Sequence, residues 1–206
     1  MVFTFGLLAL CATVFTGICA KDAHALDLRR SAWAGVAAEH GLDPYLLYAV
    51  ALVESNKNKD KGIAPYPLAM ATQGRSYYPK NRNDAERILR ELQRSGQNVA
   101  VGMMQISIKD HARQVDAIED LFDPLKNLYV GARVLDEGLR SDHPELAVRL
   151  GRYNAWKNDD VARAYGKRVL GVCLRLVTLA RSSGARVAQS MCEGGERPVK
   201  RKVAWR

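Results

Sequence analysis

Apolar residues recur with helical spacing along most of the chain. The run from Pro44 to Ser55 is apolar on nearly every side, which is typical of a buried helix. Asp43 precedes it as a good N-cap residue, and proline suits the first helical position. Residues 31–40 predict a shorter helix just upstream. The pattern therefore places Glu54 at the end of a buried helix.

Four later segments repeat the helical pattern. They are residues 83–95, 124–139, 144–152 and 160–181. We interpret the apolar stripe of the last segment as core rather than as a cofactor site; it comprises Val161, Tyr165, Val169, Val172, Cys173, Leu176 and Ala180. One short stretch differs, because residues 68–78 centre on Gln73-Gly74 and predict a β-hairpin. The fold class predicted is mainly α with a small β-hairpin.

The N-terminus predicts export. Residues 1–20 are nearly uncharged and apolar, but the apolar stretch is short for a bilayer span. Ala23-His24-Ala25 is a signal-peptidase type of sequence, so residues 1–25 are predicted to be a Sec signal peptide cleaved after Ala25. The alternative is an uncleaved membrane anchor. The remaining chain is long enough for one domain with a substantial core.

The formal net charge is +9, and much of it lies near the C-terminus. Residues 183–206 are basic, contain several glycines and lack apolar periodicity, so we expect a disordered tail. Such a tail is either simply solvated or attracted to an anionic wall or membrane surface. No nucleic-acid partner is expected, because no recognition motif accompanies the basic residues.

Two cysteines follow the predicted signal peptide. Cys173 and Cys192 do not have zinc-ligand spacing, and no His cluster accompanies them, so no metal is expected. In an oxidising periplasm they would form a disulfide that ties the tail to the last helix. The alternative is two free thiols, with Cys173 buried in its helix.

The candidate chemistry begins with Glu54. A carboxyl at the end of an apolar helix loses solvation, and the negative end of the helix dipole also disfavours its ionisation. Both effects raise the pKa. A carboxylic acid that stays protonated near neutral pH is what cleavage of a sugar–oxygen bond requires.

Three motifs in order resemble one enzyme family. Glu54-Ser55 is followed by Gly102-Met103-Met104-Gln105 and then by Tyr153-Asn154-Ala155. This series resembles the soluble lytic transglycosylase (SLT) domain, which is related to goose-type lysozyme and cuts the glycan strands of bacterial peptidoglycan. The resemblance covers most of the chain and implies a lysozyme-like helical domain, which we place at residues 26–182.

The resemblance also implies the site residues. Glu54 is the expected catalytic acid and base; the expected substrate-binding residues are Ser55, Met104, Gln105, Tyr153 and Asn154. In the family the tyrosine lies beside the catalytic glutamate and orients it or a sugar hydroxyl. Met103 is expected in the core, and Asn127 with Gly131 is expected to be structural. Trp156 replaces the glycine that the family has after Tyr-Asn-Ala.

The long interval between the first two motifs is unusual for the family. Residues 56–100 therefore appear as an insertion, similar to one in transglycosylases that accompany conjugation or secretion machines. Aromatic rings can stack on the apolar faces of sugars, and the candidates are Tyr66, Tyr77, Tyr78 and Trp156. The alternative is that the tyrosines only pack the insertion.

The sequence does not place a second carboxylate opposite Glu54. Asp60, Asp84, Asp110, Asp116, Glu119 and Asp120 are the candidates. The family route needs only one glutamate and no cofactor, and it yields a 1,6-anhydro sugar. We therefore expect a monomeric periplasmic lytic transglycosylase that acts on the MurNAc–GlcNAc bond. The alternatives are a hydrolytic muramidase and a non-catalytic wall-binding scaffold of a conjugation or secretion complex.

Overall fold

A computed structural model describes residues 26–56, 64–195 and 197–203. The predicted signal peptide lies outside these residues. The α-helices are α1 (Ala32–His40), α2 (Pro44–Ser55), α3 (Arg82–Arg94), α4 (Ile108–His111), α5 (Pro124–Leu139), α6 (Leu146–Gly151) and α7 (Asp159–Ser182). The strands are β1 (Met70–Thr72), β2 (Arg75–Tyr77), β3 (Ala100–Val101) and β4 (Ile106–Ser107). The predicted mainly α, lysozyme-like class is confirmed.

The helix α2 forms the centre of the core. Asp43 accepts hydrogen bonds from the backbone N–H groups of Tyr45 (2.8 Å) and Leu46 (3.4 Å), which caps the helix N-terminus. Every residue from Tyr45 to Leu52 is buried. The helix packs against α1 and α7, and it ends at Ser55. Its last turn therefore carries Glu54 out of the core and into a cleft.

Close contact between α6 and α7 completes the helical core. Gly151 on α6 lies against the backbone of Ala162, and Gly166 on α7 lies against the backbone of Ala147. A Cβ atom at either glycine would overlap with main-chain atoms, so the two helices approach closely only because these positions lack side chains. This contact fixes the end of α6, from which Tyr153 reaches the cleft.

The predicted hairpin is part of a larger sheet. Strands β1 and β2 pair in antiparallel register, with Met70 opposite Tyr77, and Gly74 takes a left-handed φ of 87° in the turn. Strand β1 also pairs with β3, and β3 pairs with β4, which gives the order β2-β1-β3-β4. Strands β3 and β4 flank the Gly102–Gln105 turn, so the sheet joins the insertion to the cleft.

The described part of the C-terminal segment contacts the folded domain, although its composition predicted a disordered tail. Cys173 on α7 and Cys192 are joined in a disulfide, with Cα atoms 6.1 Å apart. Ser190 and the backbone N–H of Met191 (3.0 Å) both donate to Asp43, the cap of α2. The first part of the tail is therefore attached to both central helices.

A buried carboxylate holds the second part of the tail. Asp136 on α5 accepts from Arg140 on its own helix and from Arg197 and Lys200 of the tail. Arg197 also donates to the carbonyl oxygens at the end of α1. Composition suggested disorder because the basic residues of the tail were counted as solvated, whereas two of them, Arg197 and Lys200, pair with one carboxylate of the folded domain.

Candidate active site

Glu54 lines a cleft of about 300 Å³ between the helical core and the sheet. One wall of the cleft comes from the sheet and from the end of α4, and another part comes from the Tyr153-Asn154 segment. Of the predicted substrate-binding residues, the cleft brings together Gln105, Tyr153 and Asn154. These three come from two motifs far apart in the sequence, and the fold places them around one carboxyl.

The carboxyl of Glu54 is held in a protein environment with little water. The Tyr165 hydroxyl on α7 donates to Glu54 Oε1 at 2.5 Å. Burial raises the pKa of Glu54 to about 7, while the Tyr165 hydrogen bond and the positive charge of Arg168 act to lower it. Because desolvation outweighs these two contacts, the acid form is well populated at neutral pH, as predicted from the apolar helix.

The residue that orients Glu54 is Tyr165, which sequence reasoning assigned to the core stripe. Tyr153, expected in that role, instead donates to the carbonyl oxygen of Met104 at 2.6 Å. The two tyrosine rings stack at 6.3 Å with an interplanar angle of 13°. Burial raises the pKa of both phenols, so each remains a hydrogen-bond donor. The sequence did contain a signal for this role of Tyr165, because it is the one residue with a hydroxyl in the apolar stripe of α7. A buried phenol needs a polar partner.

The Gly102–Gln105 turn is built around Asn127. Gly102 has a φ of 80° and lies so close to Asn127 that no side chain fits there. The Asn127 side chain accepts from Met104 N–H (2.8 Å) and donates to the Val101 carbonyl oxygen (2.9 Å). Asn127 is fully buried, so its structural interpretation agrees with these contacts. The asparagine fixes the turn from which Gln105 faces the cleft.

Met104 does not line the groove. Its side chain is fully buried and packs against Gly131 on α5, like that of Met103 in the core. Gln105 has a left-handed φ of 48°, and its amide nitrogen donates to the carbonyl oxygens of Gly102 (2.8 Å) and Ala69 (3.2 Å). Both residues were expected in the cleft, but only the glutamine lines it, and the methionine fills the core.

Ser55 is also a structural residue here. It is 1% exposed, and its hydroxyl donates to the Ala51 carbonyl oxygen (3.0 Å) and accepts from the Tyr66 N–H (3.0 Å). The hydroxyl thus both donates a hydrogen bond to the backbone and accepts one from it. The serine ties the insertion to the end of α2 instead of facing the substrate.

The four candidate stacking rings lie apart from the residues that line the cleft in the described part of the chain. Tyr66 meets Tyr78 edge to face at 5.6 Å and donates to the Pro79 carbonyl oxygen at 2.6 Å. The Arg75 guanidinium covers the Tyr77 ring at 4.9 Å. Trp156 is 49% exposed on the surface. The tyrosines therefore pack the insertion, which was the alternative interpretation.

One of the acidic candidates does share the cleft. Asp110, near the end of α4, lines it together with His111 and Ser107, and its carboxylate accepts from the Ser107 hydroxyl at 2.6 Å. The other described candidates are not among the lining residues, and Asp60 lies outside the described residues. Across residues 26–56, 64–195 and 197–203, no three His, Cys, Asp or Glu side chains converge as metal ligands.

A helical domain with one desolvated, protonatable glutamate at the mouth of a glycan-sized cleft is typical of lysozyme-like glycan-cleaving proteins. The model of the transglycosylase SLT domain family matches residues 31–165, and the chain belongs to this family. It is thus a peptidoglycan transglycosylase at the level of the family. Comparison with curated proteins and with solved structures finds no match for the chain.

Proposed function

We propose that this protein is a lytic transglycosylase that cleaves the β-1,4 bond between MurNAc and GlcNAc and leaves 1,6-anhydro-MurNAc ends. The observation that carries the proposal is the state of Glu54. It faces the cleft, it is held by Tyr165 at 2.5 Å, and burial raises its pKa to about 7. A carboxyl with this pKa can both give and take a proton near neutral pH.

In the first step, the protonated Glu54 gives its proton to the glycosidic oxygen. The bond from that oxygen to C1 of MurNAc breaks, and the GlcNAc fragment leaves with a new hydroxyl. Positive charge develops at C1 and is shared with the ring oxygen or the acetamido carbonyl. The Tyr165 hydrogen bond stabilises the carboxylate that Glu54 has become, because a phenol donates more strongly to a charged acceptor.

In the second step, the Glu54 carboxylate takes the proton from the C6 hydroxyl of the same MurNAc. The C6 oxygen then bonds to C1, which closes the anhydro ring and returns Glu54 to its acid form. No water is consumed. The C6 hydroxyl belongs to the same sugar, so its attack has the advantage of proximity over a water from bulk solvent.

Two other side chains contact the sugar in this proposal, and a third holds the cleft wall. Both amide hydrogens of Gln105 are directed to backbone carbonyl oxygens, so its oxygen remains the acceptor for an acetamido N–H. Asn154 lines the same cleft and offers a second amide. Tyr153 acts through its ring and its bond to Met104, which hold the cleft wall and Tyr165 in place.

The second candidate function is hydrolysis, and Asp110 is the observation that favours it. A carboxylate in the cleft can activate water on the face of the sugar opposite Glu54. The two reactions differ in product. We expect digested sacculi to give muropeptides one water lighter than the hydrolytic product and resistant to borohydride. Mainly reducible MurNAc ends, lost in Asp110→Asn, would establish the hydrolase instead.

The setting of the enzyme follows from the substrate and the predicted signal peptide. We propose a periplasmic enzyme that acts on glycan strands as a monomer and works beside a conjugation or secretion complex. In the described residues, no helix has the length and apolar character needed to cross a membrane. A scaffold without catalysis is the remaining alternative, and it predicts that Glu54→Gln changes nothing in wall turnover.

A further inference from the structure

The last described residues of the tail lie against the end of α1. The backbone N–H of Arg201 donates to the Ala38 carbonyl oxygen at 2.7 Å. Gly41, which follows α1, is in direct contact with the Pro198 carbonyl oxygen and with the Lys200 side chain. The tail therefore holds a fixed position on the folded domain and presents its side chains there. We refer to the surface formed by Arg133, Arg140 and residues 199–203 as the basic face.

Several cations of this face lie around His40 at the end of α1. Burial lowers the pKa of this histidine, and the positive charges of Lys200, Arg133 and Arg140 lower it further, while Glu39 acts in the opposite direction. The imidazole is therefore neutral at neutral pH and adds no charge of its own. The tail extends the same cluster, since Lys200 to Lys202 line one pocket together with Glu39.

Part of this charge is not neutralised within the fold. Arg133, Arg201 and Lys202 are exposed, and their side chains form no ion pair within the part of the chain that the structure describes. The one buried carboxylate of the face, Asp136, is itself contacted by three cations. The basic face therefore keeps a positive excess even when the carboxylates of Glu39 and Glu137 are counted.

Apolar side chains are interspersed with these cations in the tail. Val199 is 79% exposed and precedes Lys200, and Val203 follows Lys202. The sequence continues with an alanine, Trp205 and an arginine, which lie outside the described residues. Cations attract lipid phosphate groups, and neighbouring apolar side chains enter the boundary between the headgroups and the acyl chains. This combination is typical of segments that bind the surface of an anionic bilayer.

The basic face and the catalytic residue lie at opposite ends of α2. Gly41, which the tail contacts, comes two residues before the N-cap Asp43, whereas Glu54 lies in the last turn of the helix. Eleven residues separate Asp43 from Glu54, which corresponds to about 17 Å along the helix axis. No described residue of the tail lines the cleft. A flat surface that binds the basic face therefore leaves the cleft open.

We infer that the basic face binds the surface of a bilayer rich in anionic phospholipid and holds the protein with its cleft directed away from the membrane. The alternative anionic partner is the cell wall. A hydrated glycan mesh offers carboxylates to the cations but little to Val199 and Val203, so the exposed apolar side chains favour lipid. Binding of this kind is peripheral and reversible, because it rests on a few cations and small apolar side chains.

Co-sedimentation with vesicles tests the inference. The mature protein is mixed with vesicles of phosphatidylglycerol and phosphatidylcholine, or of phosphatidylcholine alone. We expect binding to the anionic vesicles only, and weaker binding as salt is added. Arg201→Gln with Lys202→Gln should lower the partition coefficient about thirtyfold, which is about fivefold for each cation near an anionic surface. Val199→Ser should lower it about threefold through lost apolar contact.

Arg94→Gln with Lys157→Gln is the matched control. Both residues are exposed, lie outside the basic face and form no ion pair among the described residues. The control removes the same charge and should leave the partition coefficient unchanged. An equal loss in the two double variants, or no binding to anionic vesicles, would overturn the inference. Binding to purified sacculi that requires Arg201 and Lys202, without binding to vesicles, would identify the wall as the partner instead.

Hydrogen exchange on the vesicle-bound protein tests the orientation. Amide exchange should slow in residues 199–203 and at the end of α1, and it should be unchanged in residues 105–111, which include the cleft wall. Slower exchange in the cleft wall on binding would refute the orientation. Neither measurement uses a glycan substrate, so the result does not depend on the proposed function.

Discussion

Glu54→Gln should inactivate the enzyme and, at neutral pH, make the fold more stable. The amide has the shape of the carboxyl and can still accept from Tyr165, but it neither gives nor takes a proton. Loss of general acid–base catalysis costs about 10²–10⁴-fold in rate. The effect on stability follows from the carboxyl's environment, because the folded protein holds Glu54 with a pKa of about 7 against an ordinary value of 4.5.

The sign of the effect follows from proton uptake. Between these two pKa values the unfolded chain carries an ionised Glu54 and the folded protein a protonated one, so folding takes up a proton. The free energy of unfolding contributed by this group therefore falls as the pH rises from about 4.5 to about 7. At 1.36 kcal/mol per pKa unit, the total fall is about 3 kcal/mol. Glutamine does not titrate and avoids this loss.

Urea unfolding at pH about 4, 6 and 8 measures the prediction. The difference between Glu54→Gln and the unmodified protein should be near zero at the lowest pH and about 3 kcal/mol in favour of the variant at the highest. Glu137→Gln changes an exposed carboxyl on α5 and is the control, with effects within about 0.5 kcal/mol. If the difference in unfolding free energy between the two proteins stays constant with pH, Glu54 is an ordinary solvated carboxyl. If the Glu54→Gln variant keeps full activity, Glu54 is not the catalytic residue.

Three further predictions concern contacts of the site and the tail. Tyr165→Phe removes the donor that favours the Glu54 carboxylate, so the pKa of Glu54 should rise. The alkaline limb of the pH–rate profile should then move to higher pH by about one unit, and a limb that does not move would contradict the contact. Reduction of the Cys173–Cys192 disulfide should raise the intact mass by two hydrogens and lower the free energy of unfolding by about 3 kcal/mol. Two alkylatable thiols in the unreduced protein would contradict the bridge. Asp136→Asn leaves three cations facing one another and should cost about 3 kcal/mol and speed limited proteolysis near Arg197, with added salt restoring part of the loss.

The helices were largely predictable because their signals are local. Asp43-Pro44 marks the start of α2, and the apolar run that follows has no polar face and must be buried. The raised pKa of Glu54 follows from the same pattern, since a carboxyl at the end of such a helix loses water. The hairpin was also visible, because its turn requires the left-handed backbone of Gly74.

The roles of side chains within the motifs were less predictable. Met104 and Gln105 are neighbours in the same turn, and which of them enters the core depends on Asn127, located on a distant helix. Tyr165 has the spacing of a core residue and is in fact mostly buried; only the three-dimensional path of α7 brings its hydroxyl to Glu54. The position of the tail likewise depends on Asp136, because this buried carboxylate pairs with Arg197 and Lys200 of the tail. The composition of the tail alone does not show that this carboxylate is there.

The same long-range contacts stabilise the fold around Glu54, whose burial disfavours its ionised form. Desolvation of Glu54 makes the ionised fold less stable above neutral pH, and α2 is held against that cost from both ends. The tail donates to Asp43 at its N-terminus, and Tyr165 and Arg168 of α7 contact its last turn. The disulfide joins the tail to α7. The two segments that contact the ends of α2 are therefore covalently linked to each other. Loosening the tail should therefore change the environment of Glu54, although no tail residue that the structure describes lines the cleft.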